Sequence, residues 1–148
     1  MDWREVHSDG GQRTFVVIGE DGDEAVEVLN GFARERELSA AQVTAVGAFR
    51  RATVGWFDLG AKDYRRIEVG EQCELLSLLG DIAVSDDGPV AHVHAVLGLS
   101  DGQVRGGHLL SGEVNPTLEV IIQESPAHLQ KTQHPELGLA LIDLPASR

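Results

Sequence analysis

The sequence predicts an α+β domain: a mainly antiparallel β-sheet with one long helix and few short helical turns. Three features predict it. A single stretch, Ala25 to Ala33, repeats its apolar residues at helical spacing. Nearly everything after Ser39-Ala40-Ala41 consists of strand-like apolar runs. Gly, Asp, Lys, Asn and Pro separate those runs, with no helix between them. One helix followed by a meander of strands argues antiparallel pairing, not a doubly wound parallel sheet. No repeat, low-complexity tract or linker interrupts the pattern, so residues 1–148 read as one domain.

Taken in order, Phe15-Val16-Val17-Ile18 is a first strand, ended by the acidic turn chemistry of Gly19 to Gly22. Ala25, Val28, Leu29, Phe32 and Ala33 then fall at i, i+3, i+4, i+7 and i+8, which is one face of a helix. Asp21 and Glu24 form a capping-box-like start, and Asp23 and Glu24 suit the positive end of the helix dipole. Arg34, Arg36 and Glu37 mark its solvated end. Strands are expected at Val43–Phe49, Thr53–Leu59, Tyr64–Val69 and Glu74–Val84. Val90–Leu99 and Val104–Leu110 flank Ser100-Asp101-Gly102, a hairpin signal. Leu118–Gln123 is entered through Asn115-Pro116, Pro126 and Pro135 punctuate a looser region, and Leu139–Leu144 is a last short strand.

Hydrophobic residues make up 42% of the chain and charged residues 24%, an ordinary globular balance. Asp and Glu total 24 against 12 Lys and Arg, for a formal net charge of −12. Nucleic-acid binding draws most of its affinity from neutralising phosphates, so this charge argues against DNA or RNA as the partner of the domain alone. Arg50-Arg51 and Arg65-Arg66 read as solvated surface pairs. No apolar run reaches the roughly 20 residues a bilayer span needs, and the first residues, Met1-Asp2-Trp3-Arg4-Glu5, lack signal-peptide character. The expectation is a cytoplasmic protein with no membrane contact. The single cysteine, Cys73, can form neither an internal disulfide nor a cysteine zinc cluster.

The chemistry concentrates between His92 and His108. His92 and His94 are separated by one residue on a strand, so they point to the same face. The register of the following hairpin decides whether His108 joins them. A three-residue loop of Ser100, Asp101 and Gly102, with Gly102 left-handed, pairs Leu99 with Gln103 and sets His94 directly opposite His108. A two-residue Asp101-Gly102 turn would oppose His108 to Ala95 and place it on the wrong face, unless a bulge at Gly106-Gly107 undid the slip. Three neutral imidazoles meeting at one point suit Zn²⁺ or a similar divalent ion, with a fourth position for water or ligand. The competing reading is three separate histidines, each hydrogen-bonded or exposed.

Glu119 is a second oddity, a carboxylate inside the apolar run Thr117 to Ile122. Such a group needs a partner, a metal or water. It reads as an acceptor behind a ligand histidine, as a general base, or as a structural residue held by an arginine such as Arg105. His7, His128 and His134 read as surface residues, and Cys73 as a small buried hydrophobe. Ser77 lacks the glycines of a nucleophile elbow. Gly106-Gly107 reads as close backbone approach or a bulge, not a phosphate loop.

The His92-x-His94 strand, Asp101-Gly102, Gly106-Gly107-His108-Leu109, Gly112, Val114, Thr117 and Glu119-Val120 together resemble the PPC family, the plants and prokaryotes conserved domain. Val46-Gly47-Ala48 and Glu74-Leu75-Leu76-Ser77-Leu78-Leu79-Gly80 resemble further family blocks, and the similarity spans nearly the whole chain. The resemblance implies an antiparallel sheet with few helices, a compact homotrimer, and a metal on His92, His94 and His108. Plant members add AT-hooks, Arg-Gly-Arg-Pro segments for the DNA minor groove; none is present here, so DNA binding does not carry over. They also place Gly-Arg-Phe before the Glu-Ile-Leu-Ser-Leu strand, where this chain has Glu71-Gln72-Cys73, which does not support the partner role tied to that segment.

Three functions follow as expectations. The first is a homotrimeric zinc-binding module that recognises a small anionic or carbonyl-bearing ligand. The second is an enzyme using metal-bound water, with Glu119 as proton carrier. The third is a regulatory protein acting through protein partners or DNA.

Overall fold

A computed structural model describes residues 1–147. The chain runs β1 (Asp2–Asp9), β2 (Gln12–Glu20), α1 (Ala25–Glu35), β3 (Ala40–Asp58), β4 (Asp63–Val69), β5 (Cys73–Ser85), β6 (Gly88–Gly98), β7 (Val104–Glu124), β8 (Lys131–His134) and β9 (Leu139–Ile142). Every strand pair in the ladders is antiparallel, as expected.

The helix is short, not long: 11 residues, about three turns. Its expected apolar face is the one buried, with Ala25, Leu29, Phe32 and Ala33 fully inaccessible and Val28 nearly so. Phe32 packs edge-to-face on Phe15 and on Trp3, with ring centroids 5.2 Å and 5.6 Å apart. Each fully buried side chain of this size contributes about 2–3 kcal/mol. The helix stops because Glu37 turns left-handed (φ 53), and the Leu38 amide returns to the Ala33 carbonyl at 2.9 Å, a six-to-one closure. Glu24 alone caps the start, accepting from the Glu27 amide at 2.9 Å. Asp21 is instead held by Asn115 and Arg50.

Two expected breaks do not end strands. β3 continues through Arg50-Arg51 and β7 through Asn115-Pro116, each by a bulge. Gly47 opposes Leu118 and Phe49 opposes Val114, so the β7 residues between them, Pro116 included, have no partner in the β3–β7 ladder. A proline, which has no N–H to donate, is tolerated there. β1 and β8 are additional strands. β1 is exposed except at Trp3, so no apolar alternation announced it. It pairs with β2 through the Gly10-Gly11 turn, both glycines at positive φ.

The seven-stranded sheet is ordered β1-β2-β7-β6-β5-β3-β4, with a further pairing between β7 and β3. The pairings β3–β5, β5–β6, β6–β7 and β7–β3 therefore form a closed circuit. Its interior holds Val43, Leu75, Leu78, Ile82, Leu97 and Leu109, all at most 2% exposed. The first part of β7 runs between β6 and β3, and this brings three histidines together on the outer face. β8 and β9 form a separate two-stranded hairpin over that face.

Candidate metal centre

The β6–β7 hairpin adopts the three-residue-loop register. The Leu99 amide donates to the Gln103 carbonyl at 2.8 Å, the Gly102 amide to Leu99 at 3.0 Å, and Gly102 has φ +82. Gly98 then opposes Val104, and His94 opposes His108. His92 lies two residues along the same face of β6. On its other side His108 neighbours Gly55 of β3.

The side chains converge as the register requires. One ring nitrogen from each of His92, His94 and His108 lies within 4.8 Å of the other two. The Nε2 atoms of His92 and His94 are 3.2 Å apart. His108 Nδ1 is buried with no hydrogen-bond partner. Burial holds the His108 imidazolium down to about 4, with His92, His94 and Lys131 adding repulsion. Burial, then His92, also lowers His94. Both are therefore neutral at pH 7, the form a metal requires. Converging neutral donors and an orphaned buried nitrogen fit a divalent ion held by these three residues.

Glycine makes the strand approach possible. A Cβ on Gly80 would lie 1.9 Å from the His92 carbonyl oxygen, and one on Gly107 2.5 Å from that of Gly55. Gly107 thus serves close backbone contact, one of the two roles expected for it. Tyr64 of β4 stacks on His108 at 4.8 Å and 24°, fixing one side of the ring.

Behind the histidines lies an acid the sequence reading did not single out. Asp81 of β5 pairs with His92 across the β5–β6 ladder. Its carboxylate is 3.7 Å from His92 Nδ1 and 3.2 Å from Lys131 Nζ. The first separation is electrostatic contact, not a direct hydrogen bond. Asp81 Oδ1 makes no well-aligned hydrogen bond, so its link to Lys131 is an ion pair. Burial alone would raise the Asp81 carboxyl, but His92 and Lys131 outweigh it and hold the group below the usual carboxylate range. The signal was present: an acid inside the apolar run Leu78 to Ala83. Lys131, only 7% exposed, comes from the segment read as loose and gave no such signal.

Glu119 does not reach the cluster within the chain, which corrects the expectation for it. It opposes Ile18 on β2 and Val46 on β3. It is exposed and shares a shallow depression with Val46, Leu79 and Ile121. The path along the sheet from Glu119 to His94 crosses β3 and β5 to reach β6, three strand spacings or roughly 14 Å. Its carboxylate meets the cost of an apolar strand by facing water. Arg105 does not hold it, donating to Gln103 and the Val104 carbonyl. The remaining candidates are dispersed: His7 is exposed on β1, His128 contacts Gln130, and His134 contacts Glu136. Cys73 is buried, its thiol pushed up by burial and by Glu71 and Glu74. Ser77 lies half-buried on β5 without a histidine partner among the described residues.

A cleft of about 570 Å³ opens over the histidines, walled by Trp56, Phe57, Tyr64, Lys131, Leu139 and Leu141. A second depression of about 520 Å³, near Glu24, Arg51 and Glu68, holds none of this chemistry.

Comparison with known proteins agrees with this architecture. A Pyrococcus horikoshii plant- and prokaryote-conserved (PPC) protein of known structure is 28% identical, with a TM-score of 0.83, covering 93% of this chain and 97% of its own. A metal-containing protein from Archaeoglobus fulgidus is 31% identical, with a TM-score of 0.81, covering 96% and 98%. A Bacteroides thetaiotaomicron protein provisionally assigned to DNA binding is 26% identical, with a TM-score of 0.85, covering 97% and 98%. No curated protein sequence matches the chain. No helix among the described residues is long and apolar enough to cross a membrane. The model of the Plants and Prokaryotes Conserved (PCC) domain family matches residues 6–126, and the chain belongs to that family.

Proposed function

We propose that the protein is a metal-binding module whose site holds zinc on His92, His94 and His108 and presents it to a small ligand. The observation that carries this reading is the convergence of three ring nitrogens within 4.8 Å, one histidine having a buried nitrogen with no other partner. A three-histidine set leaves zinc a fourth position, where it supplies positive charge to a ligand donor atom. The similarity to a metal-containing protein from Archaeoglobus fulgidus supports the same reading. Within one chain the enzyme alternative lacks its proton carrier, because Glu119 lies elsewhere. The regulatory DNA alternative meets paired arginines: Arg50 and Arg51 contact Asp21 and Glu113, and Arg65 contacts Asp58.

The working form in this proposal is a homotrimer. Support comes from the exposed apolar side chains Val46, Leu76, Leu79 and Ile121, 47–58% accessible, around one depression of the outer sheet face. Adding zinc to metal-stripped protein tests the site: at about 100 times its Kd, zinc stabilises the fold by about 2.7 kcal/mol, read as a rise in Tm. No rise in Tm contradicts the proposal. Light scattering that gives a monomer at micromolar concentration contradicts the trimer.

A further inference from the structure

The cleft above the histidines has a charged end and an apolar side, and the C-terminal hairpin contributes to both. That hairpin, β8–β9, lies beyond residues 6–126, the part matched by the family model. A bridge between Val84 and Gln130, with the Val84 amide donating to the Leu129 carbonyl at 2.8 Å, docks the entrance of β8 on β5. Lys131 is thereby set beside Asp81 and in the cleft wall. β9 returns along β8, with Lys131 opposite Ile142, and adds Leu139 and Leu141 to the wall.

The Lys131–Asp81 pair, with Lys131 buried and the Asp81 side chain 30% exposed, gains little over apolar residues of the same volume, so stability alone does not account for Lys131. Its ammonium has three N–H donors, and Asp81 is the one partner found for it among the described residues, at 3.2 Å. Charge at this end is also unbalanced. Asp81 offsets Lys131, and three neutral imidazoles leave the charge of a bound zinc uncompensated. An anionic donor corrects this. The rest of the cleft asks for the reverse: Phe57, on the histidine face of β3, and Leu139 and Leu141 of β9 line it with apolar surface, Leu141 being 36% exposed. The volume, about 570 Å³, falls within the roughly 300–1,000 Å³ of small-molecule sites.

We infer that the cleft takes a small apolar monocarboxylate, its carboxylate at the charged end formed by the histidine site and Lys131 and its body laid against Phe57, Leu139 and Leu141. Hairpin β8–β9 is then the element that sets which ligand the histidine site accepts. This deepens the metal-binding reading and rests on it.

The test uses full-length, tag-free, zinc-loaded protein, with para-fluorophenylacetate as probe and its uncharged amide as the control, followed by fluorine NMR. Zinc content is measured on the same samples. The acid should bind about tenfold or more tightly than the amide. Lys131→Met should weaken the acid by about tenfold and leave the amide unchanged. That variant leaves Asp81 unpaired, so Leu141→Glu, on the accessible wall, provides an independent check. It should weaken the acid by a similar factor while zinc is retained. Zinc-free wild-type protein would overturn the metal reading itself. Zinc-bearing protein that binds acid and amide alike, or Leu141→Glu protein that binds the acid as wild type does, would overturn the monocarboxylate inference.

Discussion

His94 stands directly across the β6–β7 ladder from His108, with their ring centroids 5.7 Å apart. The Ser100-Asp101-Gly102 loop fixes that relationship, because a one-residue slip in the pairing would turn His108 to the interior face. The site is therefore a product of backbone register before it is one of side-chain chemistry.

Register and close approach make glycine substitutions informative. Gly107→Ala would drive a Cβ to 2.5 Å from the Gly55 carbonyl oxygen, and the obstacle is backbone, not a movable side chain. The expected result is a loss of about 1–3 kcal/mol in urea melts, with weaker zinc binding as β7 shifts away from β3. Gly102→Ala meets no neighbour but must adopt φ +82. It should cost about 1–2 kcal/mol.

Asp81 and Glu119 should separate cleanly when each is changed to its amide. Asp81→Asn leaves the Lys131 ammonium buried without its counter-charge. About 1–3 kcal/mol of stability should be lost, and zinc affinity should fall by about 10- to 100-fold. Glu119→Gln should leave zinc affinity unchanged, since within its own chain the residue lies on another part of the sheet from the three histidines. Calorimetric zinc titration of both variants checks the pair.

Acid should weaken the metal-stripped fold through the histidines. His108, held at about 4, and His94, also lowered, bind protons less readily in the folded chain than unfolded histidines near 6.5. Between those values the unfolded chain takes up more protons, so stability falls as pH falls. The contribution is complete above about 6.5 and is lost progressively on the way down to about 4. Urea melts across this range should show the decline, and His108→Gln should make it shallower.

Much of this was legible in the sequence, for local reasons. The α1 stripe Ala25, Val28, Leu29, Phe32 and Ala33 records a periodicity that depends on no distant partner. The histidine hairpin was legible down to a choice between two loop registers, and the Leu99–Gln103 pairing settles it in favour of the three-residue loop. What local pattern does not record is which strand lies next door. Asp81 and Glu119 gave the same signal, an acid in an apolar strand, yet β6 sets His92 beside one while β3 sets Val46 beside the other. β1 was missed because its side chains face water, and Lys131 because β8 is held by long-range contacts with β5 rather than by its own pattern. The helix length depended on Glu37 adopting a left-handed conformation, a state that favours glycine.

Duplex DNA should not bind the domain at physiological salt. Arg50, Arg51 and Arg65 are already paired with acids on a chain of net charge −12. Fluorescence anisotropy should show no saturable binding at about micromolar protein. A tight, salt-dependent complex would contradict this.

The most direct measurement is the zinc content of tag-free protein purified without added metal, wild type beside His108→Ala. The expected result is about one zinc per wild-type chain and little in the variant, with the variant still folded by circular dichroism. Wild-type protein that carries no divalent metal, and takes up none on dialysis against zinc, would contradict the account. So would a His108→Ala variant that retains zinc in full.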